Sequence, residues 1–98
     1  MSYTEEIEHD GRLVILKELA LQTDGRLNET ALTRVLDVFG IKRSRDWVRT
    51  QIRAMAELGA VTFAEVGTVF VAEITRHGLD HVDRRIVIEG IAKPSPVH

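Results

Sequence analysis

The chain has 98 residues, 44% of them hydrophobic and 29% charged, with a formal net charge of −2 and no cysteine. Those totals describe one globular domain with one modest core, and they exclude a disulfide scaffold or a thiolate zinc site. No apolar run approaches the roughly 20 residues that a membrane-spanning helix needs, and the opening MSYTEEIEHD is acidic where a secretory signal would be basic and then apolar, so a cytoplasmic protein is expected.

The first helix is expected from about Thr4, as N-cap, to about Leu21, with Leu13, Ile15, Leu16, Leu19 and Ala20 on a broad apolar face and Gly11 marking a weak first turn. Asp24-Gly25 signals a turn, and Arg26-Leu27 can form one short strand. Asn28 then caps a second helix, with Leu27 and Leu32 placed as a hydrophobic staple. Leu32, Val35, Leu36 and Phe39 give that helix a single core-facing stripe, and Gly40 ends it. After a short connection, Ser44 caps a third helix that runs to about Leu58 and stops at Gly59.

Two β-rich runs then flank Gly67-Thr68, the pattern of a hairpin with a two-residue turn. That turn puts Val61, Phe63, Phe70, Ala72 and Ile74 on one face, expected to meet the core. It leaves Ala64, Val66, Val69 and Val71 on an outer face that is unusually apolar for exposed surface. Thr75 caps a fourth helix reaching about Arg85. Residues 86–91 are apolar without a period, either a strand or a segment that docks on something. The fold class is therefore mainly α with a small β-hairpin, a winged helix-turn-helix in the order helix, short strand, helix, helix, hairpin, helix. A single domain is expected over 1–91, with a flexible proline-containing tail over 92–98.

This layout resembles the winged helix-turn-helix of arsenic-repressor-like and MarR-like bacterial regulators. The stretches GRLVILKELA, GRLNETAL, SRDWVRTQIRAMAELGAVTF and EITRHGLD resemble more closely the small winged-helix proteins of Mu-like phages and prophages, over roughly residues 10–85. The resemblance implies a DNA-binding transcriptional regulator.

The charge distribution supports that reading more than the total does. Residues 1–10 carry Glu5, Glu6, Glu8 and Asp10 and no lysine or arginine, whereas 42–53 carry Lys42, Arg43, Arg45, Arg49 and Arg53 against Asp46 alone. On a helix, Arg45, Arg49 and Arg53 lie within about 80° of one another, opposite Trp47, Val48, Ile52 and Met55. If this is the recognition helix, Arg45 and Arg49 are candidates for guanine edges and Thr50 for a base or thymine methyl. Arg53, Lys42, Arg43 and the Ser44 hydroxyl would contact phosphates. The partners expected are double-stranded DNA and a second copy of the chain, with dimer surfaces on the first helix and Leu79–Ile91; no membrane or small-molecule substrate is expected.

Two readings compete. Residues 60–75 hold no lysine or arginine and include Glu65 and Glu73, whereas many DNA-binding wings are basic at the tip. A phage protein-interaction adaptor that binds no DNA is the alternative. A metal-responsive repressor is a further one, resting on His77 and His81 four residues apart; arsenic-repressor-like proteins can use their C-terminal helix this way. No cofactor is expected. Nor is catalysis, since no serine has a histidine in a recognisable context and no glycine-rich phosphate loop occurs.

Overall fold

The computed structural model describes residues 2–95. Seven elements follow in chain order: α1 (Tyr3–Leu21), β1 (Arg26–Asn28), α2 (Glu29–Val38), α3 (Arg45–Glu57), β2 (Val61–Val66), β3 (Val69–Ile74) and α4 (Arg76–Val82). This is the mainly helical winged helix-turn-helix order expected from the sequence. Among the described residues, no helix is long and apolar enough to cross a membrane.

Side-chain caps set the helix starts. Asn28, Ser44 and Thr75 cap α2, α3 and α4 by accepting hydrogen bonds from the amides of Ala31, Trp47 and Gly78. The expected cap at Thr4 moves to Ser2. There the hydroxyl accepts from the Glu5 amide and the Glu5 carboxylate accepts from the Ser2 amide, each at 3.1 Å. A Ser-x-x-Glu capping box satisfies two orphan groups at once, which Thr4 with Ile7 three residues on could not do. The α2 helix closes in a Schellman turn, with the Ile41 amide on Leu36 O at 2.9 Å and the Gly40 amide on Asp37 O at 3.0 Å. This turn carries Phe39 out of the helix and leaves it 63% exposed, so the expected apolar stripe ends at Leu36.

Gly11 does not mark the first turn of α1, which runs unbroken through it from Tyr3. The glycine is buried, and a Cβ there would lie 2.8 Å from Cη2 of Trp47, so its missing side chain is what lets α1 approach the first turn of α3.

The sheet is antiparallel in the order β1-β3-β2. Gly67, with φ of 62°, makes the hairpin turn and pairs Val66 with Val69. The resulting register sets Phe63 against Ala72 and Val61 against Ile74 on the face expected from the sequence. Val61, Phe70 and Ala72 are buried there against Ile15, Leu16 and Leu19 of α1, Leu32 and Leu36 of α2, and Val48, Ile52 and Met55 of α3.

The segment after α4 is not a strand. It crosses α1 as a strap, with Ile88 and Ile91 only 5% and 4% exposed inside the chain's own core. Arg12 Nη1 donates to Gly90 O at 2.9 Å, and the Ala92 amide donates to His9 O at 3.1 Å. The expected dimer surface at Leu79–Ile91 thus loses these apolar residues to intramolecular packing. Of the expected tail, Ala92 is tied to His9 and His81, and residues 96–98 lie outside the described part.

Candidate nucleic-acid interface

The exposed edge of α3 carries Arg45, Asp46, Thr50, Arg53 and Glu57, and Lys42, Arg43 and Ser44 precede it on exposed chain. The edge is exposed because Val48, Ile52 and Met55 are fully buried on the opposite side. The sequence-derived cationic residues are therefore gathered at one place, but they are not equivalent.

Arg49 turns inward. Its Nε donates to both carboxylate oxygens of Glu29, at 2.8 and 2.9 Å, and its Nη2 donates to the Thr68 carbonyl at the hairpin turn. Its guanidinium stacks on Phe70, 4.6 Å from the ring centroid. Glu29 is 1% exposed and also accepts from the Phe70 amide at 2.5 Å. Burial raises the Glu29 carboxyl, but the Phe70 amide bond, the Arg49 bond and the charges of Arg49 and Arg45 together outweigh it. The group stays below its ordinary value of 4.5.

The expected base-reading role of Arg49 competes with this contact. To reach a guanine it would have to abandon a buried carboxylate, a loss of about 3–5 kcal/mol, for a contact worth about 1–3 kcal/mol. Arg49 thus ties α3 to α2 and to the hairpin turn. Arg45 is freer: its side chain is 55% exposed, its Nε lies 3.9 Å from Glu29, and its Nη1 reaches the Thr30 hydroxyl at 3.3 Å. Arg43 stacks over Trp47 at 5.7 Å and donates to the Lys42 carbonyl. Arg53 has no carboxylate within ion-pair distance among the described residues; its guanidinium lies 4.9 Å from the Phe70 centroid. Ser44 spends its hydroxyl on the Trp47 amide, and Thr50 donates its hydroxyl to the Asp46 carbonyl, which leaves oxygen lone pairs and a methyl outward.

Sequence reasoning missed Glu29 because an acid in the first turn of a helix reads as a complement to the dipole. The partners that bury it lie 20 and 41 residues further along the chain.

The comparisons with known proteins give a lineage. The chain is 36% identical over 90 residues to the uncharacterized protein gp26 of Escherichia phage Mu, covering 92% of this chain and 93% of that protein. The chain belongs to the family of this Mu protein. An uncharacterized protein of Haemophilus influenzae is 36% identical over 80 residues, 81% of this chain and 78% of its own length. No family model and no solved structure matches.

In this member of the Mu family the two histidines stand in different surroundings. His81 is fully buried, its Nδ1 accepts from the Ile88 amide at 3.0 Å, and its Nε2 faces the Ala92 carbonyl at 2.9 Å. The amide fixes Nδ1 as the acceptor, so the ring proton sits on Nε2 and donates to Ala92. Both nitrogens thus hold the strap, while His77 is exposed. The described residues hold no cluster of three metal-ligating side chains. On the outer face of the sheet, Ala64 and Val66 are exposed beside Val71, in a groove of about 240 Å³ also lined by Thr62, Phe63 and the ion-paired Arg26 and Glu73.

Proposed function

We propose that the chain is a DNA-binding winged-helix regulator of transcription, phage- or prophage-associated and working in the cytoplasm, a binding protein rather than an enzyme. The observation that carries this reading is the cationic edge of α3 and the chain before it, where Lys42, Arg43, Arg45 and Arg53 are exposed. Arg45 takes the base-reading role, with Thr50 beside it; Lys42, Arg43 and Arg53 take phosphates. A domain this small buries little surface on a duplex, so two copies on adjacent half-sites supply the remaining affinity. The α1 surface is the face left for their contact.

Fluorescence anisotropy with duplex DNA at two salt concentrations tests this. Binding weakens steeply with salt; Arg45→Ala costs about 1–3 kcal/mol on a preferred site, and Arg53→Ala lowers the salt slope by about 1. Absence of binding at low salt refutes the reading. The groove on the outer sheet face favours one second reading, a protein-interaction adaptor. In that case Val66→Lys breaks an assembly that Arg45→Ala leaves intact.

A further inference from the structure

Phe63 occupies the sheet face that packs on the core, yet it is 38% exposed. Its ring stacks on Phe70 with centroids 4.7 Å apart and planes tilted by 31°. The Arg53 guanidinium lies 4.9 Å from the same Phe70 centroid and Arg49 at 4.6 Å. The two cations differ in kind: Glu29 neutralises Arg49, whereas Arg53 is exposed and without an acidic partner among the described residues. Between the hairpin and α3, an accessible aromatic ring and an uncompensated guanidinium therefore flank one buried ring.

We infer that Phe63 and Arg53 form a subsite for one unpaired nucleotide, its base stacked on the Phe63 ring and its phosphate held by Arg53. A base has a π-face and an adjoining anion, and this pair of side chains offers an aromatic surface and a fixed cation. Phe70 restrains both groups, so little side-chain freedom is lost when they engage. The groove on the other side of the hairpin has no free cation among the described residues, since its arginine, Arg26, is paired with Glu73. The proposal extends the nucleic-acid reading of α3 from paired to unpaired strands and rests on it.

The test is anisotropy with a short single-stranded oligothymidylate beside a duplex of mixed sequence, using the full chain. Wild type binds the single strand; Phe63→Ala weakens that binding roughly 5- to 100-fold, and Phe63→Trp retains it. Arg53→Gln flattens its salt dependence. Duplex binding by Phe63→Ala stays within about threefold of wild type, and its thermal melt, followed by circular dichroism, shows whether the variant remains folded. Single-strand binding unchanged in a folded Phe63→Ala, or lost equally in Phe63→Trp, overturns the subsite. Duplex binding without single-strand binding by wild type also overturns it and leaves the regulator reading standing. Binding of neither refutes both.

Discussion

Truncating Arg49 to alanine tests the division of labour on α3. The change strands Glu29, 1% exposed, with the Phe70 amide as its remaining close partner and Arg45 at 3.9 Å. Removing one member of a buried ion pair costs about 3–5 kcal/mol. The Arg49 side chain is 23% exposed, so water entering the vacated space recovers part of that. The loss should fall at the lower end, about 3 kcal/mol, or a melting drop of about 12 °C or more for a domain of this size. The single tryptophan, Trp47, reports the transition in urea from the first turn of α3. Arg53→Ala, one turn further along on the exposed edge, is the control and should cost less than about 1 kcal/mol. Glu29→Gln, alone and combined with Arg49→Ala, completes a cycle whose coupling should be about 1–3 kcal/mol. If Arg49→Ala costs no more than Arg53→Ala, Arg49 is not part of the scaffold and its candidacy as a base reader returns.

Three further outcomes follow from the same geometry. The Glu29 carboxyl is depressed in the folded chain, so its stabilisation is complete above its ordinary value of 4.5 and is lost as pH falls through the lower folded value. Acid melts of wild type and Glu29→Gln should therefore converge below that range; parallel curves would refute the assignment. Gly11→Ala gains about 1 kcal/mol of helix propensity but drives a methyl to 2.8 Å from Trp47. A net loss of about 1–2 kcal/mol with a shifted tryptophan emission is expected, and net stabilisation would show that the indole moves aside freely. His81→Ala removes both bonds to the strap, so amide exchange at Ile88 and Ala92 should accelerate with a global loss of about 2–4 kcal/mol; unchanged protection at Ile88 would sink this account.

Local chemistry made the element order legible. Asn28, Ser44 and Thr75 are capping residues that act within three positions of themselves, and Gly67-Thr68 with alternating apolar residues fixes one hairpin register. What stayed hidden depends on distant partners. Alternation placed Phe63 on the same face as Phe70, yet it stays 38% exposed, which no spacing could show. His77 and His81 share a spacing, yet one lies outside and the other is sealed by a strap with no period of its own. The arginine row was visible as charge; that one of its members is spoken for depends on a carboxylate in another helix.

The tie between Arg49 and the hairpin turn has a mechanical consequence. Thr68 is moored to the middle of α3 and Phe70 to the first turn of α2, so side-chain ties hold the hairpin to both helices. A ligand that grips both α3 and the hairpin meets parts already set at their mutual angle, so little ordering entropy is lost when it seats. Cutting the mooring should surface as slower, looser engagement even where every contacting side chain remains.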